Sequence, residues 1–172
     1  MIPQIKRILC ATDLSDNSAY VLRYAMNSAK KHDAGIIFLY VLEPLSTAAN
    51  AITLPFLNAA QEKKISEERI AYVKDRIKKQ LKIFCEKELK TDPECAGRAE
   101  SIELCEGFPA EMILRKAEEL NCDAIVMGTH GKGFIRNTFL GSTSKRVLRR
   151  TRKPVFIIPL PKEETDIGLH NV

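Results

Sequence analysis

A chain of 172 residues, 45% hydrophobic and 28% charged with 8 Gly and 8 Pro, has the composition of an ordinary globular protein and the length of one core. Its net charge of +5 is mild and permits a phosphate ligand, an acidic membrane or nucleic acid without choosing among them. The five cysteines (Cys10, Cys85, Cys95, Cys105 and Cys122) are odd in number and include no Cys-x-x-Cys pair, which argues against a zinc ribbon, a redox dithiol or a secreted disulfide framework. The opening MIPQIKRILC lacks a charged-then-apolar leader, and no apolar run approaches the ~18 residues of a membrane span, so a cytoplasmic protein is expected.

Ile5 to Thr12, IKRILCAT, is a short β-branched and apolar run ending at Asp13, and reads as a first strand. SDNSAYVLRYAMNSAKKHD then sets Ala19, Leu22, Ala25, Met26 and Ala29 at three- and four-residue steps behind Ser, Asp and Asn capping candidates, the pattern of a helix. AGIIFLYVL, Ala34 to Leu42, is apolar almost throughout, as a strand covered on both faces requires. Residues 43–61 are long, weakly periodic and mildly apolar, and are expected to form an insertion or lid. From about Ser66 to Leu89, Ile70, Val73, Ile77, Leu81 and Phe84 recur with charges between them and mark an amphipathic helix. Ser101 to Cys105 alternates like a strand, and Pro109 opens a helix with Met112, Ile113, Ala117 and Leu120 on one face. Asp123 to Gly128 is a fourth strand, Ser142 to Arg150 a helix, and Pro154 to Pro159 frames a fifth strand. This alternation predicts an α/β fold: one domain over residues 1–161, an open parallel sheet with helices on both faces, then a polar tail at 162–172. Strand order is not readable from periodicity.

The stretch VMGTHGKGFIRNTFLGSTSKRVLRR, Val126 to Arg150, is built to hold an anion, and known phosphate devices can be tested against it. A P-loop fails, because no glycine stands five positions before Gly131 and no Ser or Thr follows Lys132. A dinucleotide fingerprint starting at Gly131 fails at Arg136. What remains is Gly128-x-x-Gly131, nine residues, then Gly141-Ser142 opening a helix. Gly128 and Gly131 let backbone approach a ligand, and the unpaired N–H groups and dipole of the helix start favour phosphate. The hydroxyls of Ser142, Thr143 and Ser144 add donors.

With this pattern, G-x2-G-x9-G-[ST], the chain resembles the ATP-binding branch of the universal stress protein family. The stretches ILCATDLSDNSAYVLRYA, FLYVLEP, GFPAEMILRKAEELNCDAIVMGTHG and KPVFIIP resemble it too, in family order from Lys6 to Pro159. The resemblance implies a five-stranded parallel sheet of order 3-2-1-4-5, of the adenine nucleotide alpha hydrolase-like type. It also implies a homodimer paired through the last strand, at about Val155–Ile158. In that order the reversal falls between the first and fourth strands, where open α/β sheets bind ligands. The resemblance places adenine near Ala11, Thr12, Val41 and Met127, with Asp13 facing the ribose or a phosphate-bound Mg²⁺ or Mn²⁺. Gly128, His130, Gly131, Gly141, Ser142, Thr143 and Ser144 then take the phosphates of ATP, ADP or AMP. The family often has Pro where Ala11 stands, which loosens the adenine side of the assignment. The implied function is a regulatory nucleotide-binding module in stress response, with a protein partner that the sequence does not name. The alternative is a slow ATPase or nucleotide-using enzyme of the same fold, for which no spacing identifies a catalytic base.

Plainer roles compete for several of these residues. Asp13 could cap the first helix or bond the following turn, and Ser142 to Ser144 could be only a helix cap. Lys132 and Arg136 could neutralise phosphates or simply be solvated. The basic run Lys145 to Lys153 is broken at helical spacing by Val147 and Leu148 and has no interleaved aromatics, so nucleic-acid binding is disfavoured. His32 and His170 belong to no metal-ligand spacing. A phosphate-receiving domain would need an acidic neighbour to Asp13 at position 12, which is Thr12.

Overall fold

The computed structural model describes residues 2–15, 18–44, 58–89, 97–130 and 140–159. Nine elements alternate along them: β1 Arg7–Thr12, α1 Ser18–His32, β2 Gly35–Leu42, α2 Ala59–Leu89, β3 Ala99–Glu106, α3 Pro109–Glu119, β4 Ala124–Gly128, α4 Ser142–Arg150 and β5 Val155–Ile158. The five strands form one parallel sheet in the order β3-β2-β1-β4-β5. Fold class and strand order are thus those expected.

Successive residues of β1 point to opposite faces, and the core divides accordingly. Ile8 and Cys10 join Ile36, Phe38 and Val126 beneath α1 and α2, where Leu22, Ala25, Ile77, Leu81 and Phe84 are buried. Leu9 joins Ile37, Leu39, Ile125 and Met127 beneath α3 and α4, which contribute Ile113, Ala117 and Val147. Both faces of β1 and β4 are therefore covered, which accounts for their unbroken apolar runs. Asp33 and Asn121 close α1 and α3 in the left-handed region, with φ of 52° and 50°. Past them the N–H of Ala34 bonds Ala29 O and that of Cys122 bonds Ala117 O, each at 2.9 Å, which satisfies carbonyls of the last turn.

The second helix begins earlier than the hydrophobic period suggests, at Ala59 rather than Ser66. The cause is a reciprocal cap: Gln61 N–H donates to Asn58 Oδ1 and Asn58 N–H to Gln61 Oε1, both at 2.9 Å. Residues 59–61 of the expected insertion are thus the first turn of α2, and residues 45–57 lie outside the described ones. At 31 residues α2 is about 46 Å long. Its last half packs on the sheet through Ile77, Leu81 and Phe84, whereas Ile65 and Tyr72 in its first half are 46% and 69% exposed. Strand β3 likewise extends beyond Ser101–Cys105 at both ends.

Candidate functional site

Between β1 and β4 the sheet opens as a fork. Their register runs Ile8↔Ala124, Leu9↔Ile125 and Cys10↔Val126 and stops there, although β1 continues to Thr12 and β4 to Gly128. Beyond Cys10, β1 stays with β2 (Ala11↔Leu39, Thr12↔Tyr40), while Met127 and Gly128 stay with Ile157 and Ile158 of β5. The parting lies where strand order reverses, and connections leave in opposite directions on its two sides. A cleft of about 530 Å³ occupies it.

The base of the cleft is apolar, with Ala11, Leu39, Val41, Ile113 and Met127 among its lining. On the β1 side stand Thr12 and Asp13. Thr12 Oγ1 accepts the N–H of Leu14 at 3.2 Å, and Leu14, at φ 55°, turns the chain back to bury its side chain in the core. Asp13 Oδ1 accepts the Ser15 N–H and the Ser18 hydroxyl, each at 3.1 Å, so this oxygen organises the turn into α1. Asp13 Oδ2 is buried and has no hydrogen-bond partner among the described residues. An orphaned carboxylate oxygen costs about 1–3 kcal/mol or more, so one that borders a cleft points to a ligand.

On the β4 side the described residues end at His130 and resume at Leu140. Gly141 N–H donates to Thr129 O at 2.8 Å, which holds the end of β4 against the start of α4. Its φ of −65° is open to any residue, so the need for glycine is spatial. A Cβ here would lie 3.2 Å from Thr129 O and 3.6 Å from His130 Cα. Ser144 is buried, and its hydroxyl donates to Gly128 O at 2.9 Å, with Thr129 O at 3.3 Å. That hydroxyl fixes the first turn of α4 against the end of β4. No side chain caps α4, which leaves the N–H groups of its first turn, at Ser142, Thr143 and Ser144, directed along the helix axis towards its amino end. Gly128, His130, Gly141, Ser142, Thr143 and Ser144 all line the cleft. His130 Nδ1 lies 3.1 Å from Thr129 Oγ1. Gly131, Lys132 and Arg136, also singled out in the sequence, lie outside the described residues.

Sequence reasoning missed two cations. Arg69, from the early half of α2, lines the cleft and is held at its β2 end: Nη2 donates to Glu43 O at 3.0 Å, and Nη1 lies 3.8 Å from Glu106 Oε1. Arg146, from the second turn of α4, lines it as well. The spacing Ser142–Arg146, one helical turn, could have suggested Arg146; only the tertiary fold brings in Arg69. No group of three or more His, Cys, Asp or Glu side chains suited to a metal occurs among the described residues. No described helix is long and apolar enough to cross a membrane.

Comparison with known proteins agrees with this architecture. The model of the universal stress protein family matches residues 4–159. A universal stress protein of Methanocaldococcus jannaschii is 33% identical over 162 residues, covering 92% of this chain and 85% of that protein. One of Thermus aquaticus is 30% identical over 153 residues, covering 89% and 98%. Among solved structures, UspA of Lactobacillus plantarum superposes with a TM-score of 0.67 at 22% identity, over 91% of this chain and 99% of that one. A universal stress protein crystallised in complex with cAMP superposes with a TM-score of 0.51 at 23% identity, over 91% and 98%. At these identities the structures establish the shared fold. The family model, matched over nearly the whole chain, together with the sequence relatives, shows that the chain belongs to the universal stress protein family.

Proposed function

We propose that the cleft binds an adenine nucleotide, with ATP as the loaded form, and that the protein is a regulatory binding module of the stress response. The observation that carries this reading is the fork itself, with a half-satisfied Asp13 on one side and an uncapped helix start on the other. A purine suits the apolar base formed by Ala11, Val41 and Met127, and the phosphates suit the free N–H groups and dipole of α4. The cAMP held by one relative of the same fold favours the same ligand class. Asp13 Oδ2 is the kind of hard anionic oxygen that Mg²⁺ or Mn²⁺ takes. Asp13 Oδ2 would hold such a cation, and the cation would neutralise phosphate charge there.

Rapid phosphoryl transfer would require a residue that orients the attacking oxygen. Of the groups in the cleft, Asp13 Oδ1 is engaged by Ser15 and Ser18, and the His130 ring by Thr129, which favours holding the nucleotide over consuming it. In this reading the protein is cytoplasmic and acts as a homodimer. Among the described residues β5 pairs only with β4, and its residues Val155, Phe156 and Ile157 are partly exposed, so the strand suits pairing with a second copy about a two-fold axis. The loaded dimer then presents a changed surface to its protein partner.

The deciding experiment is to denature freshly purified protein and identify the released nucleotide by chromatography and mass spectrometry. Stoichiometric ATP is expected. ADP or AMP in its place would favour the slow ATPase, and a protein that is empty and ignores added ATP with metal would refute the assignment of the cleft. Sedimentation of the native protein, before denaturation, is expected to give a dimer.

A further inference from the structure

Resting on the nucleotide reading above, we infer that Arg146 is the cleft's charge sensor for phosphate number, so that it sets the preference for ATP over AMP. The two arginines of the cleft differ in how their charge is used. Arg69 is engaged where it stands, donating to the Glu43 carbonyl at 3.0 Å and facing the Glu106 carboxylate at 3.8 Å. Arg146 lines the same cleft and has no ion-pair or hydrogen-bond partner among the described residues. Of the cations around α4, Arg150 pairs with Glu111 at 3.8 Å and Lys153 with Glu118 at 3.3 Å, and what distinguishes Arg146 from Lys145 and Arg149, which also lack a described carboxylate, is that it lines the cleft. An acceptor could therefore have been supplied nearby, and at the position bordering the cleft none is.

Helix geometry directs this charge. Side chains lean towards the amino end of a helix, over residues three and four positions earlier. For Arg146 these are Thr143 and Ser142, whose N–H groups belong to the uncapped first turn. The backbone donors are a fixed set that a single phosphate can use. The guanidinium stands on a long, exposed stem and offers up to five further donors to the phosphates beyond it. The opposite end of the cleft, where Arg69 is already paired, favours the neutral part of the ligand. Arg146 is in this sense a specificity residue for the length of the phosphate chain.

The test is calorimetric titration of ATP, ADP and AMP, each with Mg²⁺, into the wild type, Arg146→Met and Arg146→Lys. Because Arg146 is exposed and unpaired, both variants are expected to keep the wild-type melting temperature. Arg146→Met should lose roughly tenfold or more in ATP affinity while AMP changes less than about twofold, the size expected for a charge-assisted bond made only to the longer chain. Arg146→Lys should recover part of the ATP affinity. Equal losses for ATP and AMP would make Arg146 a support of the helix and overturn the inference, as would unchanged affinity for all three. If the wild type bound none of the three, the nucleotide reading itself would fall, and with it this inference.

Discussion

The two ends of the sheet treat polar groups in opposite ways. At the amino end, Asp123 Oδ2 accepts the N–H groups of Lys6 and Arg7 at 2.8 and 2.9 Å, stitching β4 to the start of β1. Arg7 in turn reaches Glu100 Oε2 at 2.8 Å and Leu120 O at 3.1 Å, and Arg98 pairs with Asp33 at 3.0 Å. Among the described residues Arg98 Nε is buried without a partner there, as is Gln80 Oε1 on α2. At the carboxyl end, among the described residues, Asp13 keeps a buried oxygen without a partner, α4 starts without a side-chain cap, and Arg146 has no counter-charge. One end is closed by its own residues, and the other leaves polar groups open to the cleft. A fold places its function where its own polar groups are left unsatisfied at a rim of well-packed core.

The largest expected effect tests where the closed part stops. Cys10 is the last β1 residue registered to β4, directly below the fork, and burial pushes its thiol from 9.0 up to about 12. The native state keeps this proton where the unfolded chain has released it. Stability from this group is therefore fully present below pH 9 and is lost as pH rises towards 12, by about 1 kcal/mol per pH unit. Urea midpoints measured from pH 8 to 11 should fall in the wild type and fall less steeply in Cys10→Ala. Parallel slopes would mean that water from the cleft already reaches Cys10. Next in size, Asp123→Ala leaves the part-buried Arg7 N–H without its acceptor and the exposed Lys6 N–H to water, and should cost about 2 kcal/mol in urea unfolding, with nucleotide affinity of the folded protein unchanged.

These elements were not equally legible from sequence. The unbroken apolar runs around Leu9, Phe38 and Ile125 announced strands buried on both faces, because burial acts on every residue of such a strand. Gly128, Gly141 and Ser142 announced the cleft, since tight approach and a free helix start restrict residue types locally. The start of α2 was hidden because its signal is a cap, Asn58 with Gln61, and not a hydrophobic period. The dual part of Asp13 was hidden too: each of its competing readings describes one oxygen, and only the folded turn separates Oδ1 from Oδ2. Ser144 reads as a phosphate donor by its place in the run, yet its hydroxyl goes to Gly128 O across 16 residues. Arg69 carries no local signal, because its place depends on how a long helix overhangs the sheet.

At the open end, Asp13→Asn sharpens the comparison with Asp123. The amide oxygen still accepts from Ser15 and Ser18, so the turn survives and stability should change by less than about 1 kcal/mol. The anionic oxygen is gone, and ATP affinity in the presence of Mg²⁺ should fall about 10- to 100-fold. If Asp13→Asn unfolded the protein as readily as Asp123→Ala does, the two ends would not differ in kind. An Asp13→Asn variant that bound ATP as the wild type does would leave its buried oxygen without a ligand role.

The smallest effect lies at Gly141, where the end of β4 and the first turn of α4 come into contact. A Cβ there stands 3.2 Å from Thr129 O and 3.6 Å from His130 Cα, tight against backbone that cannot rotate away. Relief requires a shift of a few tenths of an ångström between β4's exit and the first turn of α4, which Ser144 resists through its bond to Gly128 O. Since φ at Gly141 is −65°, Gly141→Ala brings no backbone strain, and its stability cost should stay near or below about 1 kcal/mol. Phosphate binding is more demanding, because N–H donors lose strength quickly as distance and angle depart from their optimum. Gly141→Ala should therefore weaken ATP several-fold and AMP in nearly the same proportion, since the backbone cradle serves both ligands. Arg146→Met is expected to separate the same two ligands. Measured side by side, the pair of variants distinguishes the part of the cleft that holds any phosphate from the part that counts them.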